Sequence, residues 1–160
     1  FPHFHQDASW QTFYAIVNPS GTSASITVTY YREDGSTITT DTLTLGGHCK
    51  LGRFAVGGGG WIKVESTIPI VGMLNFDDYS NRMGSIVAVT PQSSIIFPHF
   101  HQDANWQTFY AIVNLGQSGA FTSTYYRADG STITSSSTTI GANSKIGQFA
   151  TSGTGWLRVR

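Results

Sequence analysis

Apolar and polar residues alternate with a period of two along most of this chain, the pattern of strands that lay one face on a core. In 10–17, Phe13, Ala15 and Val17 interleave with Thr12, Tyr14 and Ile16, which suits a strand buried on both faces. Asn18-Pro19-Ser20-Gly21 ends it, because proline removes a ladder donor and glycine admits a turn. Residues 24–31 follow, with Ile26, Val28 and Tyr30 on one side and Thr27, Thr29 and Tyr31 on the other. Glu33-Asp34-Gly35-Ser36 predicts a tight primed hairpin turn, Asp-Gly supplying the positive φ values, and 37–45 is the return strand.

Gly46-Gly47 turns the chain into a further strand over 48–56. Gly57-Gly58-Gly59-Gly60 reads as a flexible loop before the alternating strand 61–65. Beyond Pro69, strands over 70–76 and 85–90 flank the polar loop Asp77-Asp78-Tyr79-Ser80-Asn81-Arg82. No window carries apolar residues at helical spacing between capping signals. The class is all-β.

The pattern then starts again. Residues 1–18 return as 97–114 with one change, Ser9 to Asn105. Tyr30-Tyr31-Arg32-Glu33-Asp34-Gly35 returns as Tyr125-Tyr126-Arg127-Ala128-Asp129-Gly130, and Gly60-Trp61-Ile62-Lys63-Val64 as Gly155-Trp156-Leu157-Arg158-Val159. The offset is 96 residues at the first block and 95 at the later two, so one residue is lost between Asn114 and Tyr125. Solenoid repeats run about 20–50 residues, and a longer period suits an independently folding domain.

Seven or eight short strands in the first 96 residues point to an antiparallel β-sandwich of immunoglobulin-like size, and the repetition to tandem sandwiches, 1–96 and 97–160. The stretch Thr90-Pro91-Gln92-Ser93-Ser94 is too short for a free linker, which implies limited hinge motion. The second repeat ends at Arg160, the counterpart of Glu65, without the last two strands of the first. Three accounts are open: the chain is a fragment of a longer repeat protein, the strands arrive from another subunit by strand addition, or 66–96 is shared between the halves. Donation between copies would build a fibre, because a head-to-tail contact leaves an open edge at each end.

Composition changes the picture by exclusion. Charged residues are 11% of the chain and the formal net charge is zero, without the clustered basic face of a nucleic-acid binder. No apolar run is long enough to span a membrane, and no stretch reads as a secretory signal, so the signal of a secreted protein would be removed or lie outside these residues. Cys49 is the only cysteine, its counterpart being Ser144, so it has no disulfide partner within the chain and reads as a small buried hydrophobe.

Repetition also filters the candidate chemistry. Extended backbone would place His3, His5 and Asp7 on one face, and His99, His101 and Asp103 likewise, a donor set suited to a divalent metal once further ligands join. The competing account is structural: a histidine bonded to backbone at an edge strand, with Asp7 capping a turn before Trp10. Trp10, Trp61, Trp106 and Trp156 read as core anchors. Within Tyr30-Tyr31 and Tyr125-Tyr126 one ring of each pair must face outward, where it can stack on a sugar or on another subunit. Nucleophile and phosphate-loop motifs are missing, and Glu33, Glu65, His48 and the Asp77-Asp78 pair have no counterpart in the second copy. No cofactor and no enzyme are expected.

Phe-Pro-His-Phe, Trp10-Gln11-Thr12, Ile16-Val17-Asn18-Pro19, Tyr30 to Gly35, Gly60 to Val64 and Pro69-Ile70-Val71-Gly72 together resemble a repeat module of large secreted and surface proteins of environmental bacteria. The resemblance implies an immunoglobulin-like sandwich outside the cell with a structural, adhesive or filament-forming role and no catalytic residues. Its partners would be other copies, neighbouring repeats or surface glycans. The second histidine of His-Phe-His stands outside that pattern. A metal- or carbohydrate-binding module is the alternative.

Overall fold

The structure, a computed structural model, describes residues 1–80 and 83–160. Asn81 and Arg82, part of the expected polar loop, lie outside the described residues. The chain divides into two compact units, Phe1–Thr90 and Pro91–Arg160. All regular elements among the described residues are strands, in antiparallel sheets. No helix of the described residues is long and apolar enough to cross a membrane.

Unit 1 contains β1 (Phe4–Gln6), β2 (Gln11–Val17), β3 (Ala24–Tyr31), β4 (Thr37–Leu45), β5 (Lys50–Phe54), β6 (Gly58–Ser66), β7 (Val71–Asp77) and β8 (Met83–Val87). They form two four-stranded sheets, ordered β1-β6-β3-β4 and β5-β2-β7-β8. The alternation in the sequence decides which face is buried. Ala24, Ile26, Val28 and Tyr30 of β3 point inward and meet Tyr14 and Ile16 of β2 and Leu74 of β7 in one core. Phe4 of β1 and Ile62 of β6, in the same sheet as β3, complete that core. Burial of each large aliphatic or phenylalanine side chain among them contributes about 1.5–3 kcal/mol, so the shared core is what holds the two sheets together.

Unit 2 contains β9 (Ile95–Gln102), β10 (Phe109–Val113), β11 (Gly119–Tyr126), β12 (Thr132–Ile140), β13 (Lys145–Phe149) and β14 (Gly153–Val159). Its sheets are β12-β11-β14-β9 and the pair β10-β13. Ile95 and Ile96 belong to β9, where they face Val159 and Arg158 across the ladder.

Three local expectations are corrected. First, Gly58, Gly59 and Gly60 are strand, not flexible loop: they pair with Gln6, His5 and Phe4 in register. Gly60 has φ 157° and Gly155 φ 156°, and a Cβ on either would stand 1.8 Å from the carbonyl oxygen of Tyr31 or Tyr126. Glycine is required there because two backbones touch. Second, the Asp-Gly turn is not a primed one, which needs positive φ at both central residues in type I′ and at the first in type II′. Only Gly35, at 88°, is positive; its N–H donates to Arg32 O, and Arg32 N–H donates to Ser36 O, a turn closed by a glycine bulge. Asp34 fixes this longer form by accepting from both Ser36 N–H and Ser36 Oγ. Third, Cys49 is exposed, because it lies in the turn before β5 and not inside a strand.

Candidate functional site

The repeated stretch folds into a hydrogen-bonded corner, built the same way in both units. Asp7 Oδ1 accepts the N–H groups of Ser9 and Trp10 at 2.7 and 2.8 Å, while Asp7 N–H donates to Trp10 O. Thr12 Oγ1 donates to His5 O and accepts His5 N–H, and Thr12 N–H donates to the Gln6 side-chain oxygen. Asp103, Thr108 and Gln102 repeat every one of these contacts with Asn105, Trp106 and His101. The polar residues of the motif thus satisfy backbone groups at a sharp change of direction.

The histidines divide. His5 Nε2 lies 2.8 Å from Asp7 Oδ2, and His101 Nε2 lies 2.9 Å from Asp103 Oδ2. A carboxylate only accepts, so the Nε2 atoms carry the protons. This bond from His5, ahead of the N–H bond from Ser9, holds the Asp7 carboxyl below its ordinary range, and the same contacts set Asp103 at about 2. His3 turns away and meets the Phe76 ring edge-on at 5.6 Å, and His99 is exposed. Among the described residues no group of three or more His, Cys, Asp or Glu side chains is placed to hold a metal ion. The extended geometry that would put His3, His5 and Asp7 on one face is broken because Asp7 lies beyond β1, in the turn.

The tyrosine pairs split as their alternation requires. Tyr30 and Tyr125 are buried, and their hydroxyls donate to those of Tyr14 and Tyr110 at 3.0 and 2.9 Å. Burial, more than these bonds, pushes both phenols above the ordinary tyrosine range. Tyr31 and Tyr126 lie on the outer face, stacked on Trp61 and Trp156 with ring centroids 4.3 and 4.1 Å apart. Trp61 is 2% exposed; Trp10 and Trp156 are half-buried. Trp106 is the exception. It is 69% exposed, whereas its counterpart Trp10 packs on Phe76 of β7.

Residue counting overlooked Asn18 and Asn114. Asn18 is fully buried; its Nδ2 donates to the carbonyls of Thr22, Leu45 and Gly46, and its Oδ1 accepts from Ser20 N–H. Asn114 makes the matching bonds to Gln117, Ile140, Gly141 and Gly116. An asparagine closing an apolar strand in both copies was the available signal.

One difference between the units concerns a whole edge. β2 lies between β5 and β7, in register Ile16↔Gly72, Tyr14↔Leu74 and Thr12↔Phe76, and Gln11 Nε2 donates to both carboxylate oxygens of Asp77 at 3.0 and 2.9 Å. In unit 2, among the described residues, β10 has a ladder partner only in β13. The same seven residues that form all of β2 form strand only over Phe109–Val113, and Gln107 is exposed. Two shallow depressions, by Arg32, Asp34 and Gly58 in unit 1 and by His101, Asp103 and Gly153 in unit 2, are open to solvent. No protein-family model, curated protein or solved structure matches this chain.

Proposed function

We propose that the chain carries two copies of an immunoglobulin-like β-sandwich module with an extracellular structural or adhesive role, exercised through sheet edges. The observation behind this reading is the difference between β2 and β10: one sequence, flanked, among the described residues, by strands on both sides in unit 1 and on one side in unit 2. An unpaired edge is a template for another strand, and natural sheets blunt it with charge, proline or a bulge when pairing is to be avoided. Residues 107–113 contain no charged residue and no proline. The consumption of Gln6, Asp7 and Thr12 by internal bonds, repeated in both units, favours scaffolding over chemistry for the conspicuous motif.

Sedimentation of the chain over a wide range of concentration tests this reading. Association that rises with concentration and falls in an Ala111→Pro variant is expected. Proline deletes an outward N–H there and should leave the β13 side of the ladder in place. A species that stays monomeric throughout ends the proposal that copies pair through this edge.

A further inference from the structure

The sheet β5-β2-β7-β8 of unit 1 lays one face on the core and turns the other outward. Thr12, Tyr14 and Ile16 of β2 are buried, so Phe13, Ala15 and Val17 between them lie on the outer face. The ladders set Phe54 beside Phe13 on β5, and Met73 and Val71 beside Ala15 and Val17 on β7. Val87 of β8 lies beside Met73 in turn. Phe54, Val71, Met73 and Val87 are all exposed. The solvent face of an antiparallel sheet ordinarily alternates to polar residues. Here an apolar field crosses all four strands.

Its relief is low. Phe13 meets Phe54 edge-on with ring centroids 5.4 Å apart, and its ring lies over Gly52, 2.7 Å from where a Cβ would stand. Phe109, Phe149 and Gly147 repeat this arrangement in unit 2, and Phe54 and Phe149 are both 59% exposed. The polar side chains within the field, Asn75 and Ser85, bond each other at 2.7 Å. A glycan would need directional partners there, and a small apolar ligand would need a concave site. A flat apolar sheet face is complemented by another sheet face, about 10 Å away.

Charge and area indicate which one. Lys50 stands at the Val17 end of the strands and Asp77 at the Gln11 end. A two-fold axis running across the strands lays the basic end of one copy over the acidic end of another. Met73, in the middle row with Ala15 and Val87, then meets its own equivalent. Four strands about 4.8 Å apart and five residues rising about 3.4 Å each cover roughly 300 Å² of sheet. Two such faces together bury on the order of 600–1,000 Å², short of the roughly 1,200 Å² of a stable complex, which makes the pairing reversible.

We propose that the outer face of β5-β2-β7-β8 is a homotypic docking surface, on which the same face of a second copy of this chain packs about a two-fold axis. This face lies wholly within unit 1 and apart from the β10 edge, so either can fail without the other.

Sedimentation equilibrium of the whole 160-residue chain, carrying Ala111→Pro to block the β10 edge, tests the face. Reversible dimers with a Kd of about 10 to several hundred µM are expected. Phe54→Glu and Met73→Lys each raise that Kd about tenfold or more, by setting a charge against apolar side chains. Leu115→Lys, at an exposed position outside the face, leaves it within about twofold. Mixing Met73→Lys with Met73→Glu brings the Kd back to within about threefold of the parent, because opposite charges then meet across the axis. Association abolished by Ala111→Pro alone overturns the face and leaves edge pairing standing. Association indifferent to both face substitutions also overturns it. Weakening without recovery in the mixture overturns the pairing of the face with itself. A chain that stays monomeric throughout, with or without Ala111→Pro, removes both proposals.

Discussion

Leu74→Ala measures what the strand beside β2 is worth. Leu74 is fully buried, faces Tyr14 on one side and Ile86 on the other, and belongs to the core shared by both sheets of unit 1. Truncation removes three carbons, roughly 2.4 kcal/mol of transfer free energy at about 0.8 kcal/mol each. The cavity left behind adds more, since two sheets fixed by ladders on both sides collapse only partly, giving roughly 3–4 kcal/mol in all. Met83→Ala is the control: it lies on the same hairpin but is 76% exposed, and should cost at most about 0.5 kcal/mol. Urea unfolding supplies the total. Exchange at Ile16 and Val28 localises it to unit 1 and should accelerate by roughly two to three orders of magnitude if those amides exchange through global opening of the unit. A loss below about 1 kcal/mol for Leu74→Ala, or equal losses for both variants, would refute the view that this strand seals the core.

Two further outcomes follow from the geometry. Gly60→Ala and Gly155→Ala should each destabilise their own unit by roughly 3 kcal/mol or more, because the added Cβ would lie 1.8 Å from a backbone carbonyl oxygen of β3 or β11 and would push the ladder apart; thermal melts within about 2 °C of the parent would contradict this, given shifts of several degrees per kcal/mol. Asp103 gives a pH signature: its folded carboxyl titrates at about 2 against an ordinary 3.8, so the stabilisation it provides is complete above the ordinary value and is lost as pH falls from there through about 2. Asp103→Asn should remove that acid-dependent component, and an unchanged acid limb between those values would count against the His101 and backbone bonds as its source.

Much of the strand pattern was legible because its causes are local. Residues 24–31 and 37–45 coincide with β3 and β4, since β-branched alternation and an Asp-Gly turn are read within a few residues of themselves. Gly57 to Gly60 was misread for the opposite reason. Glycine announces unusual φ or close approach, but what approaches Gly60 is Tyr31 O, from another strand, and a one-dimensional pattern cannot tell a loop from a bulged strand. Cys49 carried a residue-type preference for burial, while the turn around it, with His48 at φ 57° and its counterpart Asn143 at 53°, put it outside. The His-Phe-His-Gln-Asp motif drew attention as chemistry because metal donors and corner-forming residues are drawn from the same side-chain types. Only the bonds of Asp7 to Ser9, Trp10 and His5 distinguish the two uses.

The two tryptophans of that motif separate sequence from environment most sharply. Trp10 and Trp106 sit in nearly identical eighteen-residue stretches and in corners bonded atom for atom alike, so nothing local to them differs except Ser9 against Asn105. Trp10 nonetheless lies half-buried on Phe76, sixty-six positions away in the sequence, while Trp106 stands 69% exposed. An indole gains most from burial when a second ring meets it, and the site for that ring is created by the strand that pairs with β2, not by the motif. Gln11 gives the polar version of the same dependence: its amide is anchored by Asp77 on that same strand, and Gln107 is exposed. The repeated stretch therefore specifies an acceptor whose apolar and polar contacts are both completed by one neighbouring strand. Tyr110 and Ile112 remain buried without that strand. Among the described residues, unit 2 thus covers the inner face of β10 with its own core, whereas the placement of the indole and of the glutamine amide depends on a neighbouring strand that the motif does not itself encode.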